Sequence, residues 1–227
     1  MNSDILIVLA ALDEADRISS TLDALALAFP GAPVWVADDG STDATPDLAR
    51  AAGATVVRSE RVIGKGQAMT AGVRAALERV SGDEAIVVLC DGDLDDSARE
   101  LSALADALRR EHGAGLAVAV FATRVGGGFG LALGFARWVI HRRCGLSTRA
   151  PISGQRALRA GVAREVLPFA PGFGMEIGMT IDAVRAGHRV VEVDLDLAHR
   201  ATGRTPAGFL HRARQLVDFI RVYFARG

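Results

Sequence analysis

A cluster of acidic residues follows one of the most apolar segments of the chain. Asp91-Gly92-Asp93-Leu94-Asp95-Asp96 comes directly after the run from Ile86 to Cys90, and its glycine lets the backbone turn. Carboxylates at this density repel one another unless a hard cation neutralises them. The pattern therefore predicts Mg²⁺ or Mn²⁺ held against a diphosphate, with Asp91 and Asp93 as the central pair. For Asp95 and Asp96 a second interpretation stays open, because both suit the first turn of a following helix.

Two further polar segments contain residue types that suit a nucleotide. Asp38-Asp39-Gly40-Ser41-Thr42-Asp43 ends a second apolar run, where a carboxylate can accept a hydrogen bond from a ribose hydroxyl or a base N–H. The same pattern is also typical of an ordinary turn between a strand and a helix. Lys65 lies between two glycines at the start of a predicted helix, where backbone N–H groups and the helix dipole favour phosphate. The spacing of a Walker phosphate-binding loop is not present.

Glu176 and His199 are the remaining candidates for chemistry. Glu176 lies at a predicted helix start within an apolar segment. It can position or deprotonate an acceptor hydroxyl, or it can simply interact favourably with the helix N-terminus. His199 and Arg200 follow a predicted strand over residues 190–197, so we expect them near the same sheet edge as Asp93. A neutral imidazole there can be a third metal ligand, and a surface His-Arg pair that caps the strand is the alternative.

The polar segments are separated by apolar runs that alternate with helical patterns. This alternation predicts an α/β fold with a Rossmann-like, mostly parallel sheet flanked by helices, whose ligands collect beyond the carboxyl ends of the strands. The predicted strands cover residues 5–12, 34–37, 55–58, 85–90, 116–122 and 190–197. The predicted helices cover residues 15–28, 45–52, 67–80, 97–111, 131–144 and 175–186, with an amphipathic C-terminal helix over 207–225. Residues 126–130, with four glycines, are predicted to be either a mobile loop beside the site or a plain connector.

Composition and charge narrow the class of protein. The chain has 227 residues, is 50% hydrophobic and carries a formal net charge of −1, which favours one domain, residues 1–227, with a large core. Two widely separated cysteines predict neither disulfides nor a zinc site, and no signal peptide or membrane-spanning run is recognisable, so we expect a cytoplasmic protein. Residues 112–164 carry eight arginines and no acidic residue. This segment is suited to an anion, unless its arginines merely cover solvated surfaces.

Taken together, four segments resemble family 2 glycosyltransferases with the GT-A fold, over roughly residues 4 to 200. They are Ala11-Leu12-Asp13-Glu14, Asp38 to Asp43, Gly64-Lys65-Gly66-Gln67-Ala68 and Asp91-Gly92-Asp93-Leu94. The resemblance implies that the nucleotide-sugar donor is bound by the following residues: Ala11, Leu12, Glu14, Asp38, Asp39, Lys65, Asp91 and Gly92. It also implies that Asp91 and Asp93 form the DxD motif for metal and diphosphate. Asp13 and Leu12 stand where the family usually has asparagine and often an aromatic residue, which leaves the nucleobase open.

Within the family, two groups of enzymes are similar to this chain in its second half. The dolichyl- or polyprenyl-phosphate sugar synthases resemble it at residues 122–124, at Arg137 and His141, and at Ser153-Gly154-Gln155-Arg156. That likeness implies an acceptor-phosphate pocket containing Arg124, Arg137, His141, Ser153, Gln155 and Arg156, and a metal-binding role for Asp95. The glucosyl-3-phosphoglycerate synthases resemble it at residues 169–178 and at His199-Arg200, and in them the histidine binds metal. Arg200 is expected to bind the anionic acceptor.

We therefore expect residues 1–111 to bind the nucleotide-sugar, and residues 112–227 to bind the acceptor and form the C-terminal helix. The expected reaction is metal-dependent transfer of a sugar from a UDP- or GDP-sugar to a phosphate-bearing acceptor, preferably polyprenyl phosphate. Transfer to a soluble phosphorylated acid such as 3-phosphoglycerate is the first alternative, and a non-catalytic nucleotide-sugar-binding module is the second. The basic amphipathic tail can lie peripherally on the inner membrane face or pack on the sheet. No nucleic-acid partner is expected.

Overall fold

The computed structural model describes residues 4–121, 130–197 and 217–226. Seven strands form one sheet in the order β3-β2-β1-β4-β6-β5-β7, in which β6 is antiparallel to both of its neighbours. The strands are β1 (Ile5–Ala11), β2 (Val34–Asp38), β3 (Thr55–Arg58), β4 (Ile86–Asp91), β5 (Ala114–Phe121), β6 (Arg156–Arg159) and β7 (Arg189–Leu195). The helices are α1 (Ile18–Ala28), α2 (Thr45–Ala51), α3 (Lys65–Leu77), α4 (Ser102–Arg110), α5 (Gly130–Cys144), α6 (Ala160–Val166), α7 (Met175–Arg185) and α8 (217–225).

The central strands are apolar along their whole length because both faces of the sheet are covered. Alternate residues of β1 enter two separate cores: Ile7 packs on the side of α1 and α4, and Val8 packs on the side of α3, α6 and α7. A third apolar cluster joins α5, α7 and α8. Burial on both faces removes the polar alternation of a half-exposed strand, which is why the sequence shows continuous apolar runs here.

The register of the parallel strands determines which residues meet at the carboxyl edge. β1 pairs with β2 so that Ala11 lies opposite Asp38, and with β4 so that Ala10 lies opposite Asp91. The two acidic segments thus follow strands that flank β1 and end level with it. This confirms the predicted mostly parallel sheet and places both segments at one edge.

Three elements differ from the sequence-based expectations. The sequence predicted neither β6 nor α6. The strand β6, Arg156–Arg159, has only four residues and no β-branched or aromatic side chain that would indicate a strand. The helix predicted over residues 97–111 is a 3₁₀-helix, Asp95–Leu101, followed by α4. Of the predicted C-terminal helix only residues 217–225 are described, and the glycine-rich segment lies outside the described residues except for Gly130, which begins α5. No helix within the described ranges is long and apolar enough to cross a membrane.

Candidate functional site

The loops that follow β1 and β2 are joined by hydrogen bonds into one surface. Asp13 is central: its N–H donates to Ser41 Oγ at 3.0 Å, and its carboxylate accepts from the Thr42 N–H at 2.7 Å. The Glu14 N–H donates to Thr45 Oγ1 at 2.8 Å. Asp13 has φ of +54°, a left-handed conformation that aspartate and asparagine tolerate best among residues with a side chain. Asp13 therefore supplies the turn and the acceptor that an asparagine would supply at this position.

The two adjacent aspartates after β2 are engaged with the protein itself. Asp38 is fully buried, and its Oδ1 accepts from the N–H and the hydroxyl of Ser41 at 3.0 and 2.5 Å. The carboxylate of Asp39 accepts from the N–H groups of Ile63 and Gly64 at 2.7 and 2.9 Å. Asp38 thus shapes the turn and has no surface with which to contact a donor in this structure. Asp39 fixes the loop that leads into α3.

Arg58 is a neighbour of this turn that the sequence analysis did not identify. Its Nε lies 3.2 Å from Asp38 Oδ2, and its Nη2 donates to the Ser41 carbonyl at 2.7 Å. Asp38 Oδ2 is buried and makes no hydrogen bond of good geometry, so the attraction from Arg58 is ionic. Nothing in the sequence distinguishes this arginine, because it contacts the turn only through the pairing of β3 with β2.

Lys65 forms ion pairs with Asp91 and Glu176, two carboxylates that the sequence analysis singled out as candidates for chemistry. Its Nζ lies 2.7 Å from Asp91 Oδ1 and 3.0 Å from Glu176 Oε1. The pKa of Lys65 is raised, because the two carboxylates together outweigh the lowering effect of burial, which is the largest single influence. The ammonium therefore remains charged and joins the end of β4 to the first turn of α7. In this structure Lys65 neutralises protein carboxylates, whereas its position alone predicted a phosphate contact.

Asp91 is also contacted by the segment Ser153-Gly154-Gln155. Gln155 Nε2 donates to Asp91 Oδ2 at 2.8 Å, and the Ser153 hydroxyl lies 3.4 Å from Gln155 Oε1. A Cβ at Gly154 would lie 2.6 Å from Asp91 Oδ2 and 2.8 Å from Lys65 Nζ, so only glycine lets this segment approach the ion pair. Ser153 and Gln155 are buried. In this structure Gln155 orients Asp91, and the contact of both residues with an acceptor phosphate stays a prediction.

Arg156, predicted from the sequence to bind the acceptor, lies in the protein interior in this structure. Its guanidinium is fully buried and donates to the Ser153 carbonyl at 2.7 Å, to Thr180 Oγ1 at 2.8 Å and to the Pro151 carbonyl at 3.3 Å. Burial lowers the pKa of Arg156 to about 10, although Glu176 acts in the opposite direction. All of its contacts are internal, so Arg156 fixes the Pro151–Ser153 turn against α7.

Hydrogen bonds from Thr21 of α1 and from Arg17, the residue before α1, support the Asp91-Gly92-Asp93 turn. Thr21 Oγ1 donates to the Gly92 carbonyl and accepts from the Asp95 N–H, both at 2.9 Å. Arg17 Nη1 donates to the Asp93 carbonyl at 3.1 Å. Asp95 has φ of +48°, so the backbone is wound into a left-handed conformation at that point. The turn thus has a fixed shape, built by two residues that no sequence motif marks.

The negative charges of Asp91 and Asp93 both act on the neighbouring Cys90 thiol. The pKa of Cys90 is raised first by burial and then by the negative charges of both aspartates. Asp95 lies 3.8 Å from Arg17 and is partly exposed. Among the residues that the structure describes, no three His, Cys, Asp or Glu side chains are grouped as a metal site. His199, the predicted third ligand, lies outside the described residues.

The predicted acceptor residues are divided between α5 and segments that are not described. Arg137 Nη2 donates to the Arg149 carbonyl at 2.7 Å, and its buried Nε makes no hydrogen bond. His141 lies one helical turn further on and is exposed. Arg124 and Arg200 lie outside the described residues. The structure therefore keeps Arg137 and His141 together on one helix, as their spacing predicted.

Comparison with known proteins identifies the family. Residues 6–159 match the model of glycosyl transferase family 2. The chain is 34% identical over 198 residues to glucosyl-3-phosphoglycerate synthase of Mycolicibacterium paratuberculosis, covering 78% of this chain and 58% of that protein, so it spans less than two thirds of that relative. It is 29% identical over 222 residues to undecaprenyl-phosphate mannosyltransferase of Micrococcus luteus, covering 88% of this chain and 86% of that protein.

Solved structures of a similar enzyme extend the comparison to ligands. The crystal structure of Mycobacterium tuberculosis glucosyl-3-phosphoglycerate synthase with Mn²⁺, UDP and glucosyl-3-phosphoglycerate has a TM-score of 0.74 and 30% identity, covering 98% of this chain and 80% of that one. The same enzyme with Mg²⁺ and UDP has a TM-score of 0.76 and covers 79% of that chain. Structures of this relative thus contain either metal together with the nucleotide.

Proposed function

The chain belongs to glycosyl transferase family 2, and we propose that it transfers a sugar from a UDP- or GDP-sugar to a phosphate-bearing acceptor with the help of Mg²⁺ or Mn²⁺. The observation that carries the proposal is the ion-pair cluster at the carboxyl edge. Lys65 connects Asp91, at the start of the DxD segment, to Glu176 on α7. The two ion pairs thereby connect the segment proposed to bind the donor to the candidate acceptor base.

The residues at the turn suit the metal that the family uses. Asp93 and Asp95 offer hard oxygen ligands on a backbone turn whose shape Thr21 and Arg17 fix. Mg²⁺ is usually held by one or two carboxylates together with substrate phosphates, so a grouping of three protein ligands is not required. We propose Asp93 and Asp95 as ligands, with His199 as the third by resemblance. The metal, when bound, offsets the charge of the departing diphosphate.

The protein groups around the metal have separate tasks. Asp91 is held by Lys65 and Gln155, which fixes the direction in which its carboxylate faces the donor. Glu176 is buried, and its Oε1 lies 3.0 Å from Lys65 Nζ, which fixes the position of its carboxyl group as a candidate base. With a hydroxyl acceptor, Glu176 would receive the proton. With a phosphate acceptor, the attacking oxygen already carries charge and Glu176 would serve only to orient.

Polyprenyl phosphate is our preferred acceptor. Arg137 and His141 lie on α5, the helix that also carries the exposed ring of Trp138. A phosphate carried by a lipid needs both a cation for the phosphate and an apolar approach for the chain. 3-Phosphoglycerate is the second candidate, supported by the likeness to a synthase solved with phosphoglyceric acid.

A screen of donors tests the proposal. Release of nucleoside diphosphate is measured with UDP- and GDP-sugars, with Mn²⁺ or Mg²⁺, and with undecaprenyl phosphate, 3-phosphoglycerate or no acceptor. Turnover with either acceptor identifies the acceptor class. UDP or GDP binding without turnover of any donor would leave a binding module instead of an enzyme.

A matched pair of variants tests the metal ligand. Asp93→Asn should lose more than about 100-fold in turnover, beyond the loss typical of residues that only support a ligand. Asp96→Asn is the control, since Asp96 is exposed and pairs with Arg99 at the surface. Calorimetric titration of Mn²⁺ in the presence of UDP gives a second readout. Equal Mn²⁺ affinity in both variants would refute the assignment of Asp93.

A further inference from the structure

The outward side of α8 carries an apolar stripe. Phe219 and Val222 of this helix are buried against α5 and α7, which is the expected packing of an amphipathic helix. Val217, Ile220 and Phe224 lie on the other side and are exposed, Phe224 to 74%. They are spaced three and four residues apart and thus share one face. Among the described parts of the chain, nothing covers this stripe.

Aromatic rings extend the stripe onto α5. Trp138 is 49% exposed and stacks on Tyr223 with 5.2 Å between ring centroids, and Tyr223 meets the edge of Phe224 at 5.3 Å. Phe135 also stacks on Trp138, with 5.6 Å between ring centroids. We call the set Phe135, Trp138, Val217, Ile220, Tyr223 and Phe224 the aromatic face. Phe135 and Tyr223 are half-buried and join the four exposed members of the set to the core. A cluster of exposed large apolar side chains of this kind marks an interaction site.

Helix α5 supplies the positive charge next to the aromatic face. It contains three arginines and no acidic residue, whereas both arginines at the end of the chain are ion-paired: Arg221 lies 3.3 Å from Asp218, and Arg226 lies 2.6 Å from Asp182. Of the α5 arginines, Arg142 is exposed, and Arg143 lies 3.8 Å from the centre of the Tyr223 ring. The chain as a whole carries a net charge of −1, so the cations are concentrated locally. The partner must therefore combine an apolar part with negative charge.

We infer that the aromatic face docks on an anionic lipid surface. Trp and Tyr rings favour the level of the lipid headgroups, and arginines around them attract anionic lipids. A second copy of this chain fits less well, because a two-fold symmetric contact would bring the same arginines together. The inference rests on the proposed lipid-phosphate acceptor, and it deepens it, since the predicted acceptor residue His141 lies three residues after Trp138 and thus on the same side of α5. Docking would bring the predicted acceptor residues to the membrane that holds the acceptor.

Sedimentation with vesicles tests the surface without donor or acceptor. The full chain is mixed with phosphatidylcholine vesicles, either pure or containing phosphatidylglycerol. We expect binding only to the anionic vesicles and weakening by salt. Phe224→Glu should weaken binding about tenfold or more, because it removes a large apolar contact and adds a repelled charge. Leu27→Glu, at an exposed leucine of α1, is the matched control and should bind like the parent.

Further measurements separate this inference from the proposed function. Thermal melting of Phe224→Glu should match the parent, since the ring is mostly exposed, and turnover with a water-soluble short-chain polyprenyl phosphate should be retained. Vesicle binding without polyprenyl turnover would support the surface and remove the acceptor assignment. Polyprenyl turnover without vesicle binding would overturn the surface. A dimer in analytical ultracentrifugation that Phe224→Glu dissociates would also overturn it, in favour of a second copy.

Discussion

Replacement of Lys65 by methionine tests whether its ion pairs organise the site. The change keeps the apolar stem and removes the cation that lies 2.7 Å from Asp91 and 3.0 Å from Glu176. The side chains of Lys65, Asp91 and Glu176 are 26%, 32% and 6% exposed. Removing one partner of a fully buried pair costs about 3–5 kcal/mol, and the partial exposure of Asp91 places our expectation near about 3 kcal/mol. For a chain of this size that is a fall in Tm of about 6–12 °C.

A second substitution distinguishes the stranded charge from a general packing defect. In Lys65→Met the most buried uncompensated charge is that of Glu176. Adding Glu176→Gln removes this charge, so the double variant should regain much of the lost Tm. It should not regain donor affinity, because Asp91 still lacks the cation that orients it. Calorimetry with UDP and Mn²⁺, paired with thermal melting, measures both effects.

The pH dependence of the effect has a defined sign. The pKa of Lys65 is raised above its ordinary value of 10.5 by Asp91 and Glu176, against the effect of burial. The stabilisation is therefore complete below the ordinary pKa and is lost only as the pH rises past it. Between pH 6 and 9 the difference in stability between parent and Lys65→Met should stay constant. A difference that disappears within that range, or a variant with the parent's Tm and UDP affinity, would refute the reasoning.

Three other substitutions have equally specific outcomes. Gly154→Ala should reduce the affinity for UDP with Mn²⁺, because the added Cβ would lie 2.6 Å from Asp91 Oδ2. Gly134→Ala is the control: the position on α5 has open space around it, so the variant should be neutral or raise the stability measured by melting by about 0.5–1 kcal/mol. Glu192→Gln should cost about 1–2 kcal/mol at neutral pH, and denaturation below pH 4.5 should be less pH-dependent than in the parent. The pKa of Glu192 is lowered because hydrogen bonds from Thr148 and Arg149 outweigh its burial, so its stabilisation is lost only in acid. Arg137→Ala should raise the acceptor KM and leave donor affinity unchanged, with partial recovery in Arg137→Lys; equal acceptor KM in parent and variant would remove Arg137 from the acceptor site.

The sheet and its active edge could be predicted because their signals are local. Each central strand is a short apolar run that ends in a polar turn, as in Ile86–Asp91 followed by Gly92. The rule that parallel strands present their carboxyl ends together then brings Asp38 and Asp91 to the same edge as the end of β1. Neither step requires knowledge of contacts between distant residues.

The roles of Ser153, Gln155 and Arg156 could not be predicted from local signals. They depend on β6 pairing antiparallel with β4, where Arg156 lies opposite Leu89, and β6 itself has no sequence signature of a strand. The polar residues at the start of β6 are thus buried because this short strand lies between two other strands of the sheet, β4 and β5. Arg17 and Thr21 were missed for the related reason that they support the DxD turn from a helix distant in sequence.

Only some of the eight arginines of residues 112–164 remain available to an anion in the structure. Four of them have protein partners that neutralise or bury them: Arg149, Arg156, Arg159 and Arg164. Arg124 lies outside the described residues. The remaining three, Arg137, Arg142 and Arg143, all lie on α5, and none has a carboxylate partner within the described ranges. An anionic acceptor drawn to this segment would therefore meet uncompensated charge along one helix, the helix that also carries Trp138. Because the charge and the exposed ring share α5, a phosphate attached to a lipid satisfies both features, whereas a small phosphorylated acid satisfies only the charge.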